Sequence, residues 1–456
     1  MATQENQIKT LEALIAAKDK LIEAQAKQIA TLMARIETLE RRLGLNSSNS
    51  SLPPSSDEFF KPAPKSLRVS SKSFGGQKGH QGGTLKQVGN PDTVIQLPIR
   101  KCITCKKDLS LQSSHPPIKR QVFEIEMKRQ VVEYQAEHKI CTCGKHNIAE
   151  FPADVTAPVQ YGSSVKAAAV YFMQQFIAKQ RCCELFNDLF GIPISDTTLM
   201  AFEETCAKNV TSCYHDIRYA LAKTAIKHLD ESGLKVDKHM HWLHVLSNEQ
   251  ATYYHIDRKR SIVWQDLTGI IVHDHWSPYF KIEGVEHALC NAHHLRELQG
   301  IIDLYEEPWA SKMRDLLNGA LNGGEPTVVS QRYDEVIKEG IAYHESKLLI
   351  NPKGRKNSKK RKGHNLLLRL QKFKTAVLRF IYDPKVPFTN NQAERDIRMV
   401  KTKQKVSGCF RSENGAEEFV KIRSIVSTLK KQKCHLFEEL KLACTKVYQN
   451  DKFMLA

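Results

Sequence analysis

Residues 5–43 repeat with a period of seven. Ile8, Ile15, Ile22, Ile29, Ile36 and Leu43 occupy one position of the repeat, and Leu11, Lys18, Gln25, Leu32 and Leu39 the position three further on. Apolar side chains at that strict spacing draw one stripe along an α-helix, which leaves this segment few other structures. Isoleucine at the first position with leucine at the second favours two parallel strands. Residues 1–45 are therefore expected to form a coiled-coil helix that joins subunits into a homo-oligomer through residues 5–43. Lys18 and Gln25 weaken the middle of the seam, and Gly44 is placed to end the helix. The alternative is an amphipathic helix packed on its own chain.

The composition then changes abruptly. Residues 46–92 contain NSSNSSLPPSSD and GGQKGHQGG, too little apolar surface to offset the entropy of ordering, and read as a flexible basic linker. Over all 456 residues, 68 Lys and Arg face 50 Asp and Glu, a formal net charge of +18. A surplus of that size attracts polyanions, of which nucleic acid is the commonest available to a soluble protein. No apolar run approaches the roughly 20 residues needed to span a bilayer, and no secretory signal precedes the heptads. A cytoplasmic protein without a membrane partner is expected. Its 12 cysteines should then be reduced, and either buried or bound to metal.

Residues 93–150 hold Cys102-x2-Cys105 and Cys141-x-Cys143. The alternating stretch Gln121–Tyr134 between them predicts a strand pair, and four thiolates gathered by such a hairpin would suit a tetrahedral structural Zn²⁺. Two unrelated reduced pairs are the competing reading, and His146 is a substitute ligand. Residues 151–222 read as a helical region. Within it, Cys182–Phe190, a tight turn, and Asp196–Lys208 form a helix-turn-helix pattern, with Ser195 or Asp196 capping the second helix. Glu203 and Glu204 on that second helix would repel phosphates, so a purely structural hairpin is an equal alternative to groove binding.

From residue 223 the pattern turns to short strands. Ala225–Leu229 runs into Asp230, Gly269–His273 runs into Asp274, and His241–Ser247 and Ala251–Ile256 have strand character between them. Two strands that each end in Asp, with antiparallel strands between, suit an RNase H-like sheet. Two carboxylates on neighbouring strand ends repel each other unless cations neutralise them. A pair of Mg²⁺ or Mn²⁺ ions about 4 Å apart does so, and activates both the attacking and the leaving oxygen of a phosphodiester. A third carboxylate, Glu394, lies in FTNNQAERDIRMVK, a helix start for which Thr389 or Asn390 is a cap. At 3.6 residues per turn Asn391, Glu394, Arg398 and Lys401 share one face, suited to metal and phosphate, while Asp396 points away.

The long interval between Asp274 and Glu394 is expected to carry a helical insertion at about 285–385. In it, CNAHHLREL sets His293 and Arg296 on one helix face, able to touch DNA or orient a carboxylate; Cys290 with His293 and His294 also suggests zinc but lacks a fourth ligand. Lys353–Lys362 has seven cations in ten residues, and Arg355, Lys356, Lys359, Lys360, Arg361 and Lys362 are candidates for sequence-blind phosphate contacts.

These motifs together are specific. SSNSSLPPSSD, the cysteine module, FPADVTAPVQYG, DLFGIPIS, HLDESGLKV, HWLHV, VHDHWSPY, CNAHHLREL, KGHNLLLRL and VPFTNNQAERDIRMVKTKQKVSGCFRS follow one another in order. In that series the chain resembles transposases of the insertion-sequence 66 family over nearly its whole length. The resemblance implies a bacterial, nucleoid-associated DDE transposase whose triad is Asp230, Asp274 and Glu394. It implies terminal inverted repeats and target DNA as partners, a zinc-finger-like role for the cysteine module, and small accessory proteins encoded by the same element. The segment 257–268 is shorter than the family's usual crossover, which would displace Asp274 from Asp230 and point to an inactive DNA-binding relative acting as a repressor. A nuclease that cuts without joining and a non-enzymatic scaffold are further alternatives.

The expected architecture is multidomain α+β. It comprises the coiled coil (1–45), the linker (46–92), the zinc-finger-like module (93–150), the helical domain (151–222), an RNase H-like catalytic core with its insertion (223–412) and a C-terminal helical region (413–456).

Overall fold

The computed structural model describes residues 85–113, 115–347 and 361–450, together with 15, 18–33, 35, 36 and 39. The chain divides into two compact units, one of Met1–Val69, Pro152–Cys182 and Ser195–Ala456 and one of Ser70–Phe151 and Cys183–Ile194. No helix among the described residues is long and apolar enough to cross a membrane.

In the smaller unit the described strands are β1 (His138–Ile140) and β2 (His146–Ile148), an antiparallel pair that brackets Cys141 and Cys143. The strand pair expected over Gln121–Tyr134 is absent: the segment joins no ladder among the described residues, and Val122, Ile125 and Val131 stay exposed. Alternation alone does not make a strand when no partner edge is within reach.

The segment 151–222 is helical, but Cys183–Ile194 within it belongs to the smaller unit. After α1 (Ser163–Gln174) and α2 (Lys179–Phe190), Ser195 caps α3 (Asp196–Asn209) by accepting the Thr198 N–H, and α4 (Thr211–Lys223) follows. Residues 18–33 are helical, and their apolar residues face outward, Ile22 at 61% and Ile29 at 57% exposure.

The larger unit is built on a mixed sheet of five strands: β3 (Ile226–Val236), β4 (His239–Ser247), β5 (Thr252–Asp257), β6 (Gly269–His273) and β7 (Val285–Leu289), in spatial order β5-β4-β3-β6-β7. β3, β4 and β5 are antiparallel neighbours; β6 runs parallel to β3, and β7 parallel to β6. Asp237 and Lys238, both at positive φ, make the two-residue hairpin that sets the β3–β4 register, the turn whose twist matches that of the strands. β6 enters beside β3 through Gly269 at φ 74°, where an added Cβ would stand 2.5 Å from the Ala225 carbonyl oxygen. Only glycine fits that approach.

One face of the sheet packs Leu234, Val236, Leu243, Val245 and Tyr254 against Ile397 and Val400 of the 391–407 helix and Phe419 and Val420 of the 413–431 helix. On the other face Tyr214 of α4 stacks on Tyr253 at 4.5 Å between ring centres. Trp264, from the 258–268 connection, meets Tyr253 and His244 edge-on at 6.1 and 6.2 Å. That connection is short but packed, and it sets β6 in register beside β3.

Past β7 the chain forms α5 (Asn291–Tyr305), α6 (Pro308–Leu321), α7 (Pro326–Glu345), α8 (Lys362–Lys372), α9 (Lys374–Val377) and α10 (Arg379–Tyr382). Their core gathers Leu295, Leu298, Trp309, Met313, Tyr333 and Leu367. Prolines at the first turns of α6 and α7 suit positions where no intrahelical N–H bond is lost. The insertion expected at about 285–385 thus starts later than the sequence suggested, because Val285–Leu289 is the outer strand of the sheet. The chain then forms α11 (Asn391–Ser407), α12 (Glu413–Lys431) and α13 (Leu436–Ala443).

Candidate active site

Side chains alternate across a strand. Asp230 therefore faces the same side as Leu234 and Val245, toward α11, while its neighbour Glu231 faces the side covered by the 258–268 connection. β6 pairs in parallel with β3, His228 opposite Val272, so Asp274, two residues on, continues in line beside Asp230. Its carboxylate closes a local turn by accepting the Trp276 N–H at 2.8 Å.

Glu394 arrives from the first turn of α11, and the start of that helix is tied to β3 by Asn390. The Asn390 side-chain amide donates to the Leu229 carbonyl at 2.7 Å, and its oxygen accepts the His228 Nδ1–H at 2.8 Å. Asn390 therefore occupies the cap position without a side-chain cap bond, since its side chain is already engaged with the strand. Asp396 lies on the opposite side of the helix, held by Lys431 at 2.8 Å.

The charges of the other two carboxylates bear on Asp230. Burial, followed by the charges of Glu231, Asp274 and Glu394, holds the Asp230 carboxyl well above the usual carboxylate range. Burial and then the Glu231 charge push Asp274 up to about 6. One carboxylate oxygen of Glu394, Oε1, is buried without a hydrogen-bond partner. An all-carboxylate set that repels itself and leaves an oxygen unpaired matches the hard-oxygen chemistry of Mg²⁺ and Mn²⁺.

Glu231, which sequence reasoning passed over, has a buried side chain that accepts from Arg260 at 2.6 Å and from the Tyr279 hydroxyl. The Arg260 guanidinium lies between Trp242 and Trp276, 4.7 Å from each ring centre. Arg260 belongs to the short connection, so that segment carries the cation that neutralises Glu231 next to Asp230. Only the alternation of a strand could have hinted at this second acid.

Among the expected DNA contacts, Arg398 is exposed on α11 and Asn391 half-buried at its start, while the Lys401 ammonium donates to the Gly233 carbonyl at 2.7 Å. Arg296 is half-buried and reaches its own helix backbone at Ala292. His293 is drawn to Glu394 instead: Cys290, His293 and Glu394 are the one group of three among the described residues whose metal-ligating atoms lie within 4.8 Å of one another. Arg361 and Lys362 begin α8, whereas Arg355, Lys356, Lys359 and Lys360 lie outside the described residues.

The cysteine module closes into two separate turns. Hydrogen bonds from the backbone and thiol of Cys105 lower the Cys102 thiol, and those of Cys143 do the same for Cys141. The four sulfurs are not gathered into a common group, so the structure does not itself assemble a four-thiolate zinc site.

Asp230 on β3, Asp274 just past β6 and Glu394 at the start of α11 thus come to one end of an α/β sheet, although their carboxylate oxygens do not all lie within 4.8 Å of one another. A family model described as Transposase IS66 family matches residues 158–418, more than half of the chain, and the chain belongs to that family. Residues 3–86 match a family of unknown function, DUF6444. No curated protein matches the chain. Membership makes the protein a transposase in the general sense, with DNA as its partner.

Proposed function

We propose that the chain is a catalytically competent DDE transposase with an RNase H-like core, in which Asp230, Asp274 and Glu394 hold two divalent metal ions. The observation that carries this reading is the register of β6 beside β3, which sets Asp274, the residue after β6, in line with Asp230, whose carboxyl is raised by the charges of both Asp274 and Glu394 from α11. The strand order β5-β4-β3-β6-β7, three antiparallel strands followed by two parallel ones, supports the RNase H-like assignment. The register of β6 against β3 speaks against a decayed relative with a displaced second acid.

Mg²⁺ or Mn²⁺ bound there would supply Lewis-acid activation of the attacking oxygen and charge stabilisation on the leaving oxygen. The protein itself orients the acids: Asn390 fixes α11 on β3, Trp276 fixes the Asp274 carboxylate, and Arg260 offsets the Glu231 charge behind the site. In the first step a water oxygen attacks the phosphodiester at the element end and frees a 3′-OH. In the second that hydroxyl attacks a target phosphodiester and releases a new 3′-OH there. Each is an in-line displacement without a protein nucleophile. The outward-facing Ile15, Ile22, Ile29 and Ile36 support pairing of two subunits, which would bring two element ends together.

The test uses purified protein, Mg²⁺ or Mn²⁺, and a labelled duplex carrying the element's own end. Metal-dependent joining to plasmid DNA that disappears in Glu394→Gln is the expected result. Joining that survives this substitution refutes the triad.

A further inference from the structure

Cys290 follows β7 and stands at the cap of α5, its thiol enclosed and accepting the Asn390 N–H at 3.2 Å. His293 is one turn on, its own N–H bonded back to the Cys290 carbonyl at 3.1 Å. Glu394 reaches the same point from α11, so that a sulfur, a ring nitrogen and a carboxylate oxygen lie within 4.8 Å of one another. Two of the three residues leave a buried atom unsatisfied, His293 Nδ1 and Glu394 Oε1. An unpaired buried polar atom costs about 1–3 kcal/mol, and a cation between these groups would satisfy both.

The donor types select the cation. Mg²⁺ takes oxygen ligands almost exclusively, whereas thiolate with imidazole and one carboxylate is a donor set that zinc accepts, with a fourth position open to water. Ligands around a tetrahedral zinc sit roughly 3.3–3.8 Å apart, given metal–ligand distances of about 2.0–2.3 Å. Small rotamer changes in the first turns of two helices would close the observed spacing to that range.

We infer that Cys290, His293 and Glu394 form a binding site for a zinc-type divalent cation, distinct from the Asp230–Asp274 pair but sharing Glu394 with it. Zinc held there withholds Glu394 from the other two acids and opposes magnesium. The site rests on geometry alone; only the opposition to magnesium rests on the proposed catalytic role of Glu394.

Full-length protein stripped of metal is titrated with Zn²⁺ and, as an optical probe, with Co²⁺. The cysteine module can also bind these ions, so each variant is read as a difference from wild type. Cys290→Ser should lose one zinc equivalent and the matching thiolate-to-cobalt charge-transfer absorbance. His293→Gln should lose the same equivalent, with affinity down by more than about tenfold. Circular dichroism identifies any variant that fails to fold, and either substitution suffices if the other does. Asp274→Asn should keep the equivalent. Zinc should inhibit magnesium-dependent cleavage by the wild type, and a smaller inhibition ratio is expected for Cys290→Ser. Unchanged stoichiometry and affinity in folded Cys290→Ser and His293→Gln overturn the site. Cleavage that persists in Asp274→Asn while Cys290→Ser still loses its zinc overturns the catalytic reading and leaves the site standing.

Discussion

The side-chain amide of Asn390 donates to the carbonyl of Leu229 at 2.7 Å, one residue before Asp230 and four before Glu394. One buried side chain thus sets the distance between a strand and a helix that each carry an acid. Asn390→Leu keeps similar bulk but leaves the Leu229 carbonyl and His228 unpaired. The expected cost is roughly 2 kcal/mol in chemical denaturation, with loss of cleavage larger than the loss of folded protein explains. An unchanged unfolding midpoint would count against the tie.

Acidity provides a second prediction. In metal-free protein, native Asp274 keeps its proton up to about pH 6, whereas its ordinary value is 3.8. Between these values the native state binds more protons than the unfolded chain, so this group's contribution to stability falls as pH rises. Metal-free Asp274→Asn should therefore match wild type near pH 4 and exceed it by roughly 2 kcal/mol at pH 7, after discounting for partial exposure. Added Mg²⁺ should reverse the order by stabilising wild type alone. Thermal melts at both pH values, with and without Mg²⁺, decide it.

The acid behind the site makes a third. Arg260→Ala strands the buried Glu231 carboxylate, whose remaining side-chain partner among the described residues is the Tyr279 hydroxyl. A loss of roughly 2 kcal/mol is expected, together with a further rise of the Asp274 carboxyl, because Arg260 lowers it and the unscreened Glu231 charge raises it. Glu231→Gln in the same chain should recover most of both effects. Additive losses in the double-mutant cycle would show that the two residues are not coupled.

Gly269 provides a fourth, independent of chemistry. At φ 74°, and with the Ala225 carbonyl oxygen 2.5 Å from where a Cβ would stand, Gly269→Ala should destabilise the fold by about 2–3 kcal/mol. A shift in melting temperature measures it; a Gly269→Ala melt equal to wild type would contradict the close approach.

Subunit pairing supplies the fifth. Ile22→Asp with Ile29→Asp places charges in the apolar stripe and should turn an oligomer into a monomer in analytical ultracentrifugation. Equal masses for the two proteins would remove the coiled coil from the account.

The three acids stood out as candidates because two follow short β-rich runs and the third opens a helix, patterns that local chemistry dictates. What surrounds them was not. β7 was hidden because VEHAL mixes charge with apolar residues and qualifies as a strand only through β6 beside it. The role of Asn390 looked like helix capping until β3 supplied its partners. Lys401 fell on the expected face, but periodicity cannot tell a free ammonium from one bonded to Gly233. Cys290 and His293 lacked a further ligand in sequence because Glu394 reaches them only through the fold. The Gln121–Tyr134 alternation misled in the other direction, a pattern without a partner.

The strand β3, its neighbour β6 and the helix α11 come from widely separated parts of the chain, with the acid of α11 near residue 394 of 456. A ribosome must therefore translate most of the message before the third acid exists at all. Chains cut short within the insertion would lack α11 and α12, and Leu234, Val236, Leu243 and Val245 would lose the cover of Ile397, Val400, Phe419 and Val420, so one face of the sheet would stay open to water until the last stretch of the message is read.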